Sequence, residues 1–526
     1  MNRFAELLDR LAYAAGRNDK LSLIKDYFAT VPDPDRGYAL AVLTGGLDFK
    51  HAKPALIRGL VEERTDPVLF RLSYDYVGDM AETISLMWPA KHEVNRVPEL
   101  TEIVETLRET AKAEMPGLIA GWLDALDENG RWALIKLITG GLRIGVSSRL
   151  AKTALARYGD LDIKEVEEIW HGLEAPYIDL FAWADGTGKR PAPDIAAPFR
   201  PVMLAHPVDD ADFEKLVPAD FRAEWKWDGV RVQAVAAEGE RRLYSRTGED
   251  MTGTFPDLIE AMDFDAAIDG ELLVVRDGQV APFGDLQKRL NRKTTSKKLL
   301  SDFPAAIRAY DLLFESGEDL RGLPFDQRRK RLESWVARLD HPRVSLSPLI
   351  TFNTFDDLDR IRNDPSAQSI EGVMLKRGDS PYEAGRPKGP WFKWKRDPFL
   401  VDAVLLYAQR GHGKRSSFYS DYTFGVWRDG ELVPVGKAYF GFTDEELKRI
   451  DKFVRDNTED SFGPVRQVTH EPDHGLVFEV AFEGLNRSTR HKSGLAMRFP
   501  RIHRIRWDKP PHEADKIEAL ETLLPG

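Results

Sequence analysis

A change of apolar period near residues 184–194 restricts the fold of this chain more than any other feature. Before it, apolar residues recur at helical spacing: Phe4, Leu7, Leu8 and Leu11 fall on one helix face, and the pattern returns through Leu56–Leu60, Ile103–Leu107 and Trp132–Ile138. The segment Ala184–Asp194 (ADGTGKRPAPD) is rich in Gly and Pro and reads as a linker. After it come short apolar, aromatic or alternating runs at Phe221–Trp227, Arg231–Ala236, Arg242–Ser245, Ala267–Val275 and Ala309–Phe314. Turn signals such as Asp228-Gly229 and Asp277-Gly278 separate them. With a helical piece at Phe255–Met262, they predict a mixed α/β domain to about residue 397. From Asp402 strands dominate again, at Ala403–Ala408, Tyr422–Trp427, Val433–Tyr439 and Val477–Phe482, with a helix over Thr443–Arg455 that Thr443 would cap. Five or so strands with one inserted helix suit a small barrel of the OB type. In 526 residues this amounts to three domains, 1–198, 199–397 and 398–526, since one hydrophobic core does not serve so long a chain.

No run of 18 or more apolar residues is present, and the first residues, MNRFAELLDRL, mix charge with apolar side chains instead of forming a signal segment. The expectation is a cytoplasmic protein. Cysteine is absent, which removes disulfides, thiolate nucleophiles and cysteine zinc sites together. Chemistry is left to lysine, arginine and carboxylates, with or without Mg²⁺. The net charge of -11 taken alone argues against a nucleic-acid partner, but DNA responds to a local field and not to a whole-chain sum. Leu286–Leu300 (LQKRLNRKTTSKKLL) carries six basic residues and no acidic one, and is either a solvated surface run or part of a duplex-facing surface.

The most informative segment is Glu224-Trp-Lys-Trp-Asp-Gly-Val-Arg231. Lys226 is set in an apolar, aromatic run that ends in a tight Asp228-Gly229 turn, after which the chain returns with Arg231. An ammonium held between Trp225 and Trp227 is either a hairpin lysine reaching for solvent or a nucleophile, because desolvation and neighbouring cations favour the neutral amine. Downstream, in order, lie Ser245-Arg246-Thr247-Gly248, Asp269-Gly270-Glu271-Leu272, Tyr310-Asp311-Leu312-Leu313, Glu371-Gly372-Val373-Met374-Leu375-Lys376 and Trp391-Phe392-Lys393-Trp394-Lys395. Singly, Glu371 reads equally well as a turn acid and Tyr310 as core. The complete ordered set is hard to obtain by chance.

That set resembles the motifs of the covalent nucleotidyltransferases: ATP-dependent DNA ligases, RNA ligases and capping enzymes. The last motif, Arg498-Phe-Pro-Arg501-Ile-His-Arg504-Ile-Arg506-Trp-Asp508-Lys509, and the segment from Gly436-Lys437 to Gly441–Leu447 resemble DNA ligases of the eukaryotic replicative kind. The resemblance is strong from about residue 201 and weaker before. It implies a helical DNA-binding domain, an adenylation domain and an OB-fold domain, in a compact bacterial or archaeal form bound to the nucleoid through DNA. It also implies ATP and Mg²⁺ as cofactors. Lys226 would take AMP from ATP, pass it to the 5′-phosphate at a nick, and the 3′-hydroxyl would then displace AMP.

By the same resemblance, Glu224 would help read the adenine amino group through its backbone and Tyr310 would stack on the base. Arg231 and Arg246 would meet the nucleotide or the nick phosphate, Glu271 the ribose, and Lys376 the nucleotide. Lys393 and Lys395 would neutralise charge developing on phosphate. Glu271 and Glu371 would hold Mg²⁺. Asp228 would either orient Lys226 or touch the ion, or else only shape its turn. Arg501, Asp508 and Lys509 would come over ATP on a mobile OB domain to grip pyrophosphate, the alternative being a patch that only holds DNA. In the helical part, Gly140–Ser148 (GGLRIGVSS) resembles a glycine turn whose amides hold duplex phosphates, with Arg143 and Arg149 adding charge, whereas Gly78–Glu82 reads as structural. The expected partner is nicked double-stranded DNA, encircled without sequence preference by a monomer and without a membrane role. Other readings are an RNA ligase or capping-type enzyme, or a non-catalytic DNA-binding scaffold.

Overall fold

The computed structural model describes the chain apart from residues 78, 90–95, 193–194, 291, 293–294, 365–368, 411–417, 489–490 and 525–526. It divides into two compact units, Met1–Ile195 and Ala196–Gly526. The described part of the first unit is helical, from Asn2–Tyr13 to Ile178–Ala184. The opening helix buries Phe4, Leu7, Leu8 and Leu11, as its spacing predicts. The other three apolar windows fall inside Pro54–Arg64, Leu100–Glu109 and Glu128–Thr139. Arg36 bonds Asp33 at 2.7 Å and Asp185 at 2.6 Å, so the predicted linker is fastened at its start. Asp79 is structural: it caps Met80–Met87 through the Ala81 and Glu82 amides and pairs with Lys136 at 2.5 Å. Gly78, read with it, lies outside the described residues, as do Pro193 and Asp194 of the linker.

The Gly140–Ser148 segment forms the glycine turn that its sequence suggests. Gly140 ends the preceding helix in the left-handed region, and the Ser147 hydroxyl caps Ser148–Tyr158 by accepting from the Leu150 amide at 3.2 Å. Lys20 bonds the Ile144 carbonyl at 2.5 Å from beneath. Arg149 is paired with Glu167 at 3.2 Å.

The second unit contains three larger sheets and a hairpin. The first sheet has the order His206–Pro207, Trp391–Lys395, Ile370–Arg377, Phe221–Trp227, Leu349–Ile350. The second is built on Glu240–Ser245, Val230–Ala237, Ala266–Arg276 and Ala305–Glu315. These strands contain every run expected from sequence, each extended by one to a few residues where it was cut short. One expectation is corrected. The chain does not turn back on itself at Asp228-Gly229, because Phe221–Trp227 belongs to the first sheet and Val230–Ala237 to the second. The Asp228 amide bonds the Ser369 carbonyl at 2.7 Å, and a Cβ on Gly229 would lie 2.5 Å from the Leu272 carbonyl. The dipeptide is a crossing between sheets, and glycine is needed because the two backbones nearly touch.

The third sheet curls around its own apolar core, with Glu431–Ala438, Tyr419–Arg428, Phe399–Arg410, Val465–Val468 and Thr458–Phe462 in order, and Val477–Phe482 bridging Phe399–Arg410 to Arg501–Arg506. It has more strands than the five expected. Tyr439 lies past the end of its strand and is exposed. The inserted helix spans Asp444–Asp456, with Thr443 and Glu446 forming a capping box.

The basic run Leu286–Leu300 is also partly corrected. Arg289 is fully buried and pairs with Asp257 at 2.6 Å, so it presents nothing to a duplex. Lys288 pairs with Asp285 at 2.8 Å, Arg292, Lys297 and Lys298 are exposed, and Lys293 lies outside the described residues.

Candidate active site

Alternation along the strands assembles a cleft between the first two sheets. On Phe221–Trp227, Phe221, Ala223 and Trp225 join Val373, Leu375, Phe392 and Trp394 in an apolar cluster, which leaves Glu224 and Lys226 on the opposite face. On Trp391–Lys395 the same rule sends Trp391, Lys393 and Lys395 into the cleft. From the second sheet come Arg231, Glu271 and Tyr310, and Arg246 from the end of Glu240–Ser245. The result is a cavity of about 570 Å³, a size suited to a nucleotide. It gathers Glu224, Lys226, Arg231, Arg246, Glu271, Tyr310, Glu371, Lys376, Lys393 and Lys395.

Glu371 is brought in by a defect in the pleat. The register of Ile370–Arg377 against the lysine strand shifts between Ile370 and Gly372, which re-aims Glu371. Gly372 has φ +146, and a Cβ there would lie 2.2 Å from the Trp394 carbonyl. The Lys226 ammonium therefore meets the Glu371 carboxylate and not the flanking indoles. Trp225 packs behind the sheet, and Trp227 donates to the Ser347 hydroxyl at 3.0 Å.

The charges are strongly organised. Burial pushes the Glu271 carboxyl up to about 8; Lys226 and Arg231 oppose this, and Glu371 and Asp269 add to it. Burial also pushes Glu371 up, but Lys226 and Lys395 outweigh it and hold that carboxyl below its usual range. Lys393 is lowered by burial and by the cations Lys395, Arg386, Lys226 and Arg246. Arg246 is lowered by burial and by Arg231 and Arg386. The lining carries seven cations (Lys226, Arg231, Arg246, Lys376, Arg386, Lys393, Lys395) against four carboxylates (Glu224, Glu249, Glu271, Glu371). A positive pocket in a chain of charge -11 is built for a polyanion.

A positive cavity of this size between two sheets fits a protein that handles a nucleotide. The ATP-dependent DNA ligase domain model matches residues 202–395, and the model of the C-terminal region of those ligases matches 415–509. DNA ligase 1 of Korarchaeum cryptofilum is 30% identical, over 99% of this chain and 98% of its own length. The chain belongs to the ATP-dependent DNA ligases. A probable DNA ligase of Koribacter versatilis is 29% identical to it, over 99% of this chain and 96% of that one. The solved structure of Pmar-Lig_PreS3 has its fold, with a TM-score of 0.60 at 18% identity over 96% of this chain and 99% of that one.

In this ligase some residues expected at the nucleotide stand elsewhere or are already engaged. Arg231 lines the cavity, but its guanidinium bonds Asp269 at 2.5 Å, the Met203 carbonyl at 2.6 Å and the Tyr382 hydroxyl at 3.0 Å. Lys395 bonds both Glu483 oxygens, at 2.8 and 2.9 Å. Arg501, Asp508 and Lys509 do not line the cavity. Arg501 is 4.0 Å from Glu483, Asp508 pairs with Arg506 at 2.9 Å and Lys509 with Asp402 at 2.7 Å. The residue of that motif nearest Lys226 is Arg498, which pairs with buried Asp228 and lies 3.7 Å from Glu371.

Sequence reasoning gave no role to Asp269, Arg329, Tyr382, Arg386 or Glu483. Asp269 was detectable beside Glu271 in its motif. Arg329, Tyr382 and Glu483 give no local signal of a site, because the cavity residues that they meet, Glu224, Arg231 and Lys395, are 88 or more residues away; Arg386 stands outside the motifs.

Proposed function

We propose that the ligase seals 5′-phosphate/3′-hydroxyl nicks in duplex DNA, with Lys226 as the nucleophile that carries AMP. The observation that carries this reading is that one cavity brings Lys226 together with the rings of Tyr310 and Trp391 and with the cations Lys393, Lys395, Arg246 and Arg386. The base lies against the rings and the phosphates against the cations. Nζ forms a bond to the α-phosphorus, and the bond to the β-phosphate oxygen breaks, releasing pyrophosphate. The 5′-phosphate oxygen of the nick then displaces Nζ from that phosphorus. Finally the 3′-hydroxyl oxygen attacks the 5′-phosphorus and AMP leaves.

Arg246, Arg386 and Lys393 have no ion pair among the described residues, which leaves them for phosphate. Glu271 and Glu371 are the groups that would hold Mg²⁺. No cluster of three or more carboxylate or histidine side chains suited to a metal occurs among the described residues, and the ion's other ligands would be phosphate oxygens and water. When bound, the ion supplies charge neutralisation at the reacting phosphate. Arg501, Asp508 and Lys509 act in the first step only, when residues 398–526 turn them toward pyrophosphate, as in the replicative ligases the last motif resembles. Residues 1–198, 199–397 and 398–526 are then the working domains of a monomer.

The Gly140–Ser148 turn in the helical unit binds duplex phosphates through backbone amides, so affinity is independent of sequence and falls steeply with salt. No helix among the described residues is long and apolar enough to cross a membrane.

Intact mass after incubation with ATP and Mg²⁺, in parallel with GTP, tests the reading. One AMP is gained from ATP, none by Lys226→Ala, and the adduct is discharged on a nicked duplex as it is sealed. A GMP adduct, or an AMP adduct that nicked DNA leaves in place, overturns it.

A further inference from the structure

Glu224 is buried in the wall of the cavity, and both its oxygens are taken. Arg329 Nη1 donates to one at 2.9 Å, and the Lys376 ammonium pairs with the other at 2.5 Å. All three side chains are at most 5% exposed. Arg329 comes from the helix Phe325–Leu339 and is not part of the cavity wall. It spends its remaining edges on the Ser347 carbonyl at 2.8 Å and on Glu333 at 2.7 Å. Lys376 is held in turn between the rings of Tyr310 at 4.5 Å and Trp391 at 4.6 Å. The carboxylate is therefore held by Arg329 from behind and by Lys376 from the cavity wall.

We propose that Arg329 is a positioning residue for base choice. By holding an acceptor edge of Glu224 toward the cavity, it makes the site take a purine that offers a donor there, the 6-amino group of adenine, and reject a 6-oxo purine. This deepens the nucleotide reading above and rests on it. A carboxylate only accepts hydrogen bonds, and so does a 6-oxo group. Facing each other, they leave two buried polar groups unpaired. The planar fork of arginine fixes direction as a lysine ammonium does not.

The test is the rate of Lys226 labelling by ATP and by ITP, which differ at the 6-position, read by intact mass in the full-length enzyme freed of AMP. Wild type prefers ATP. Arg329→Met lowers the ATP/ITP ratio of kcat/KM by about tenfold or more, mainly through a higher KM for ATP, and Arg329→Lys lowers it less. Glu333→Gln, at the solvent end of the chain of contacts, keeps the wild-type ratio. Glu224→Gln, whose amide can donate to a 6-oxo group, shifts preference toward ITP and carries the test if the methionine variant does not fold. Equal losses with both nucleotides in the Arg329 variants overturn the proposal in favour of a purely structural arginine. A wild-type enzyme that takes ATP and ITP alike also overturns it while leaving the ligase reading intact. Absence of any Lys226 adduct in wild type sinks that underlying reading instead.

Discussion

Lys226 and Glu371 form an ion pair, and the proposed first step starts from it. Lys226→Arg keeps a cation beside Glu371 but cannot supply a neutral amine, since a guanidinium does not lose its proton in proteins. Its expected phenotype is a folded enzyme, by melting temperature, that gains no AMP and still seals a duplex that is already adenylated. Glu271 allows a test by pH. Its folded pKa, about 8, is above the usual carboxylate value, so between about pH 4.5 and 8 the folded protein binds more protons than the unfolded chain. Stability from this group is then lost as pH rises through that window, at a rate of at most about 1.4 kcal/mol per pH unit. Glu271→Gln should gain on wild type in melting temperature from pH 5 to 8 and hold its lead above that; a difference independent of pH would refute the assignment.

At the scale of elements, strand alternation does most of the sorting, and two deviations complete it. The bulge at Gly372 turns Glu371 to the lysine. Gly372→Ala puts a methyl group against the Trp394 carbonyl and strains a φ of +146. We expect a loss of about 1–3 kcal/mol in denaturant unfolding and a drop in adenylation larger than the stability loss explains. The second is the pair Tyr310-Asp311, where Tyr310 lines the cleft and Asp311 reaches Arg328 at 2.8 Å, both of that pair fully buried. Breaking it by Asp311→Ala leaves a buried guanidinium charge and should cost about 3–5 kcal/mol in urea unfolding. Tyr310 and Asp311 stand together in sequence, yet only Asp311 anchors the helix behind the sheet.

At the scale of the whole molecule, ion pairs within the second unit join the adenylation sheets to the region that follows them: Arg498, on the hairpin Gly484–Arg487/Leu495–Arg498, meets Asp228 and Glu371, and Glu483, just past the strand Val477–Phe482, meets Lys395. The Glu483 pair ties up Lys395, which the proposed first step would use on phosphate. Because that pair is partly exposed, it is worth only about 0–1 kcal/mol. Glu483→Gln should therefore speed Lys226 labelling by no more than about fivefold, an effect that shrinks as salt is raised; slower labelling would show that Glu483 helps the step.

The sequence by itself determined the order of helical and strand regions, the strand cores and the identity of most cavity residues. These follow from apolar period and from motifs whose residues are neighbours in the chain. It also carried the Thr443 cap, a purely local device. Only the tertiary structure decided that Asp228-Gly229 crosses between sheets, that Arg289 in a basic run is buried on Asp257, and that Arg329 lies behind Glu224. It likewise decided that Asp508 and Lys509 stand away from Lys226. The crossing at Asp228-Gly229, Arg289, Arg329 and Lys509 depend on partners 32 or more residues away, and a side chain's charge and local period do not say which distant surface will meet it.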